Sequence, residues 1–193
     1  MLYRLQSQFE SRKLDLSLLF SQKLVFLEGD ISLPNSGLSK TVINELQQEL
    51  TAIIHNAWKS NFSLPLATFE FHIKGTRTLI DLACSSKHRS DLRFVFISSI
   101  TITQNWDESQ GPYLEKLVMD AFTAAGGGYG ECRYVTERIL AKSGLEAMYL
   151  RVGQICGGEP SGVWKSSEWI PMIVKRCLSL GAFFIPTSTY EIH

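Results

Sequence analysis

Tyr129 and Arg133 stand four residues apart in the stretch Gly128-Tyr129-Gly130-Glu131-Cys132-Arg133-Tyr134-Val135-Thr136-Glu137-Arg138. On a helix this spacing puts a phenol and a cation on one face, one turn apart. A phenol with pKa ~10 is a poor acid–base catalyst at neutral pH, and a neighbouring cation favours its phenolate. The pair is therefore a candidate acid–base device. A tyrosine four residues before an arginine is also a common structural pair on helix surfaces. What tips the reading toward chemistry is Ser98-Ser99, which close the preceding apolar run. Those hydroxyls could equally cap a strand end. Of the two, Ser99 is the candidate.

Other reactive side chains offer less. His55 and His72 have no ligand-spaced partner and read as hydrogen-bonded structural histidines, so no metal site is assigned. Cys84, Cys132, Cys156 and Cys177 contain no C-x-x-C pair, which argues against zinc or a disulfide framework and for a reduced, cytoplasmic setting. Helix spacing turns Cys132 away from the Tyr129/Arg133 face, and no base is at hand to activate it. Lys+Arg and Asp+Glu both total 19, giving net charge zero, so nucleic acid and anionic membranes are not expected partners. No segment is apolar over the ~20 residues a membrane-crossing helix needs, and the first residues carry Arg4, Glu10, Arg12 and Lys13, so neither a signal peptide nor an anchor is expected.

The elements that must position these groups follow from periodicity. Four near-continuous apolar runs predict buried strands: Lys23–Leu27, Ala52–His55, Arg93–Ile97 and Ala147–Val152. Between them, Val42, Leu46 and Leu50 have helical spacing, as do Phe69, Ile73, Thr76, Ile80 and Ala83, and then Trp169, Ile173, Cys177 and Leu180. Leu2, Leu5 and Phe9 predict an opening helix. Alternation of strand and helix implies βαβ units, so the chain reads as one α/β domain over residues 1–193, a Rossmann-like doubly wound parallel sheet with helices on both sides. Loops are expected at Ser32–Gly37, Gly126–Gly128 and Gly157–Gly162. Ligands in such sheets bind beyond the carboxyl ends of the strands, where Gly29-Asp30, Asn56-Ala57 and Ser98-Ser99 fall. Asp30 could also be no more than a turn residue. A strand, glycine-rich turn and helix to receive a pyrophosphate is missing, because Gly126-Gly127-Gly128 precedes Tyr129 rather than following a strand.

With Gly29-Asp30, His55-Asn56-Ala57, Ser98-Ser99, Tyr129-x-x-x-Arg133 and Arg151-Val152-Gly153-Gln154-Ile155 in this order, the chain resembles the extended short-chain dehydrogenase/reductase superfamily. More narrowly, it is similar to the thioester reductase domains of fungal non-ribosomal-peptide-synthetase-like and adenylate-forming reductases. That likeness is carried by Ile53–Phe62, Phe69–Gly75 and Gly162–Pro171, and runs from about Leu14 to Gly181. The resemblance implies NADPH-dependent reduction of a thioester, held on a phosphopantetheine carrier protein or domain, to an aldehyde or alcohol. Tyr129 would give a proton to the carbonyl oxygen while a nicotinamide delivers hydride to the carbon, and Ser99 would hold the carbonyl. Arg133 would occupy the position of a lysine that holds the cofactor ribose. Asp30 and Ile31 would flank the adenine, Asn56 and Ala57 would line the dinucleotide, and Gln154 and Ile155 would lie near the nicotinamide. Trp164 and Trp169 would cover the acyl chain or pantetheine arm.

Two departures from that pattern set further expectations. The family's N-terminal strand, glycine-rich turn and second strand are not found, and the tail Phe183–His193 leaves the pattern, so the chain reads as truncated at both ends. Arginine keeps the lysine's charge but holds a ribose differently and cannot shuttle a proton as an amine can, so impaired turnover is expected. A non-catalytic remnant that binds proteins through an exposed half-sheet is the rival reading. A sugar-nucleotide epimerase or dehydratase of the same superfamily fits the shared motifs but not Trp164–Pro171.

Overall fold

In a computed structural model, residues 2–159 and 161–182 are described. The tail Phe183–His193 and Pro160 of the Gly157–Gly162 loop lie outside them. The chain divides into two compact units, one spanning Leu27–Gly153 and the other formed by the segments up to Phe26 and from Gln154 onward.

The Leu27–Gly153 unit holds three parallel strands, β1 (Ala52–His55), β2 (Arg93–Ser99) and β3 (Glu146–Val152), in the order β1-β2-β3. Helix α2 (Lys40–Glu49) leads into β1, α3 (Glu70–Cys84) joins β1 to β2, and α4 (Gly128–Ala141) joins β2 to β3. Ser39 starts α2 by accepting the Val42 N–H at 3.3 Å. This is the expected α/β Rossmann-like arrangement of βαβ units. Register aligns Ile53 with Phe94 and His55 with Phe96, then Phe94 with Ala147 and Ser98 with Arg151. Alternation therefore puts Ile53, His55, Phe94, Phe96 and Ser98 on one face. There Ile53, Phe94 and Phe96 pack with Ile80 and Ala83 of α3 and Leu140 of α4 to form the main core.

The opposite face carries Ile54, Met148 and Leu150, of which Ile54 is 72% and Met148 58% exposed. The strands are thus apolar on both sides, while α3 and α4, the helices that make this core, lie together on one face.

One strand expectation fails. Lys23–Leu27 is irregular and makes no ladder among the described residues, and Val25 is 77% exposed. A short apolar run satisfies the strand pattern whether or not a partner strand lies beside it, and none does among the described residues.

The second unit contains α1 (Leu2–Ser11), a 3-10 turn at Leu16–Phe20 and α5 (Trp169–Leu180). The spacings Leu2-Leu5-Phe9 and Trp169-Ile173-Cys177-Leu180 thus form the helices they predict. An isolated antiparallel bridge joins Gly158 to Val163. Among the described residues no helix is long and apolar enough to cross a membrane.

Candidate active site

Helix α4 presents Tyr129 in its first turn because two glycines let its backbone approach neighbouring loops. A Cβ on Gly128 would run into the backbone of Leu64–Leu66, and one on Gly130 would sit 2.5 Å from the Thr101 carbonyl oxygen. Tyr129 is held between them, its ring against Phe62 at 4.7 Å and edge-on to Phe69 at 6.1 Å. One turn on, Arg133 is also buried. Its Nη2 donates to the Tyr129 hydroxyl at 2.8 Å, and its Nη1 donates to the Ile97 carbonyl of β2. That carbonyl lies one residue beyond the last β1–β2 pair, His55 and Phe96.

The guanidinium has no carboxylate partner among the described residues and lies on aromatic faces, 4.4 Å above the Trp58 ring and 5.4 Å from that of Phe96. Burial lowers its pKa, opposed by Tyr129. Trp58 in turn stacks on His72 at 4.7 Å. His72 Nε2 accepts the Lys59 N–H at 3.1 Å, which puts the ring proton on Nδ1. His55 Nε2 meets Thr76 Oγ1 at 3.0 Å, and that hydroxyl donates to the His72 carbonyl, so His55 is the donor of the pair. Both histidines have the structural role expected of them. Burial pushes His55 down to about 4, and lowers His72 as well. Among the described residues no group of three or more His, Cys, Asp or Glu is placed to hold a metal ion.

Ser99 ends β2 and caps the following 3-10 turn, its Oγ accepting the Thr101 N–H at 3.3 Å and the Thr101 hydroxyl at 3.0 Å. Thr101 thus holds Ser99 with its polar groups while its carbonyl backs onto Gly130 beside Tyr129. Neighbouring Ser98 has a buried Oγ with no partner among the described residues. Further along α4, Glu137 forms a buried ion pair with Arg151 of β3, Nη2 to Oε2 at 2.8 Å and Nε to Oε1 at 3.2 Å.

The remaining candidates are placed as follows. Asn56 and Ala57 are exposed immediately after β1. Asp30 follows no strand; its carboxylate accepts the Ser32 N–H at 2.8 Å and hydroxyl at 2.7 Å, the turn role open to it. Ile31 packs on Gly75 of α3, where a Cβ would come within 2.7 Å of its side chain. Gln154, Ile155, Trp164 and Trp169 belong to the second unit. There Gln154 accepts the Trp169 indole N–H at 2.8 Å, and Trp164 donates to Glu168 at 3.0 Å. Sequence reasoning missed Thr101, Glu137, Arg151 and Trp58. The signal for Glu137 was present, since it continues the four-residue spacing of Tyr129 and Arg133.

The NAD-binding family described as "Male sterility protein" matches residues 1–191. The chain belongs to this family. Among its relatives, the adenylate-forming reductase Nps11 of Serpula lacrymans is 49% identical over 180 residues, which are 93% of this chain and 16% of that protein. Two solved structures share the fold. The terminal R domain of the myxalamid PKS-NRPS pathway superposes with a TM-score of 0.77 at 24% identity, covering 92% of this chain and 45% of that one. A thiolation-reductase di-domain from an archaeal non-ribosomal peptide synthetase superposes at 0.63 with 20% identity, covering 86% and 36%. The chain therefore spans about a sixth of the length of its curated relative.

For an NAD-binding domain of this family, the residues present fit the nicotinamide end of the cofactor better than the phosphate end. Among the described residues, Tyr129 keeps its own proton free, Arg133 has a buried Nε without a partner, and Asn56 and Ala57 lie open past β1. At the phosphate end, no described strand leads through a glycine-rich turn into a helix.

Proposed function

We propose that the chain carries the reducing centre of a thioester reductase that acts on a carrier-bound acyl group. The observation that carries this reading is the direction of two hydrogen bonds. Tyr129 accepts from the Arg133 guanidinium and Ser99 accepts from the Thr101 N–H, neither of which can accept in return, so both hydroxyls retain a proton to donate. Such donors suit a carbonyl oxygen that gains negative charge. Ser99 holds that oxygen and Tyr129 protonates it, and the resulting hemithioacetal releases the carrier thiol and leaves an aldehyde. NADPH supplies the hydride when bound. Asn56 and Ala57 line its dinucleotide, and Asp30 and Ile31 flank its adenine. A phosphopantetheine carrier as substrate is supported by the named partnership of thiolation and reductase domains in the archaeal relative. Turnover is slow, because both Nη groups of Arg133 are already engaged with protein atoms.

The test is NADPH oxidation by the purified chain with an acyl-pantetheine thioester, with aldehyde identified by mass spectrometry. Tyr129→Phe should lower the rate by about 10²-fold or more. A wild-type rate no greater than that of Tyr129→Phe would overturn the reading. In that event the exposed apolar face bearing Ile54, Met148 and Leu150 favours the second reading, a non-catalytic domain that binds other proteins.

A further inference from the structure

Tyr129, Arg133 and Glu137 follow one another at four-residue intervals along α4, and they are 6%, 4% and 1% exposed. Arg133 therefore has two possible partners on its own face, a phenol one turn behind and a carboxylate one turn ahead. By charge alone the carboxylate should win, since it adds to the hydrogen bond a direct attraction between opposite charges that a neutral phenol cannot offer. Arg133 nevertheless turns back to Tyr129. The reason lies on β3, where the Arg151 fork engages both oxygens of Glu137.

We propose that Arg151 is a positioning residue for the reducing centre. By occupying Glu137 it keeps Arg133 on Tyr129 and so keeps the phenol oriented with its proton free. It acts through Glu137 and Arg133. The consequence for reduction rests on the reading of Tyr129 as proton donor, but the contact itself can be measured without turnover.

The experiment uses the 193-residue chain with labelled arginine and tyrosine, reading the nuclear Overhauser cross-peak between the Arg133 guanidinium protons and the Tyr129 ring. Arg151→Met should weaken this cross-peak roughly twofold or more as Arg133 swings to the freed carboxylate. Adding Glu137→Gln to that variant should restore it, because the competing charge is gone. General loosening of α4 would not be repaired by the second change. Arg151→Lys keeps a cation beside Glu137 without the fork and should give a smaller loss. Should Arg151→Met not fold, Arg151→Lys with and without Glu137→Gln carries the same comparison. An unchanged cross-peak in the Arg151 variants, or a loss that Glu137→Gln does not restore, overturns the inference. Either result leaves the thioester reductase reading to its own assay.

Discussion

Arg133 donates to the Tyr129 hydroxyl at 2.8 Å while its other Nη holds the Ile97 carbonyl, so one guanidinium ties the first turns of α4 to β2 just past the end of β1. A lysine in its place offers a compact charge without the planar fork. Arg133→Lys should keep one of the two bonds and lose the stacking on Trp58, at a cost of about 1–3 kcal/mol in urea unfolding. Turnover should not fall with it, because the amine is the better proton-transfer group. A parallel fall in both quantities would contradict the view that arginine limits the rate.

Gly130 is the second link between the Tyr129 helix and the Ser99 strand end. Alanine would gain up to about 1 kcal/mol of helix propensity, but its Cβ would lie 2.5 Å from the Thr101 carbonyl and 3.1 Å from the Gln104 amide. Backbone cannot yield as a flexible side chain can, so overpacking at about 1–3 kcal/mol outweighs the propensity gain. Gly130→Ala should lower the unfolding midpoint, whereas Gly158→Ala, with nothing within 4 Å, should stay within about 0.5 kcal/mol. Equal midpoints for the two variants would refute the argument.

The parts of this fold that could be read in advance are those whose signal is local. β2 and β3 announce themselves as apolar runs between turn residues, and α3 as a helical stripe from Phe69 to Ala83. Lys23–Leu27 carries the same signal, yet pairing is a property of two segments and its partner is missing among the described residues. The site shows the same divide. Four-residue spacing brings Tyr129 and Arg133 to one face, but it brings Glu137 there as well. Which neighbour Arg133 takes depends on where the β2–β3 register delivers Arg151. Asp30 offers a turn role beside the ligand one, and its carboxylate takes that turn role toward Ser32.

Cys132 lies in the same packed cluster as Tyr129, and burial pushes its thiol up to about 11. Thiolate is the reactive form, so near neutral pH Cys132 should resist alkylation. Exposed Cys156 should label first, with Cys132 and Cys177, both buried, reacting only as the chain unfolds. Peptide mapping after brief iodoacetamide treatment reads this directly. Early modification of Cys132 would mean that the packing around Tyr129 is far looser than described.

His55 makes stability depend on pH with a definite sign. Its ordinary value is 6.5, and burial, with Arg133 and His72 adding to it, lowers this to about 4 in the fold. Between those values the unfolded chain binds the extra proton, so stability rises with pH across the window. The contribution is full above pH 6.5, is lost as pH falls toward 4, and amounts to about 3 kcal/mol at most. His72, lowered chiefly by burial, acts in the same direction. The exposed carboxylates Asp15, Asp30, Glu70 and Asp107 are lowered chiefly by side-chain hydrogen bonds, and their losses come at more acid pH. His55→Gln keeps a donor for Thr76 but cannot titrate. Its urea midpoint should therefore change less than that of the wild type between pH 7 and pH 4.5. Equal changes would show that the acid sensitivity of this fold arises elsewhere than in the histidine beneath Trp58 and Arg133.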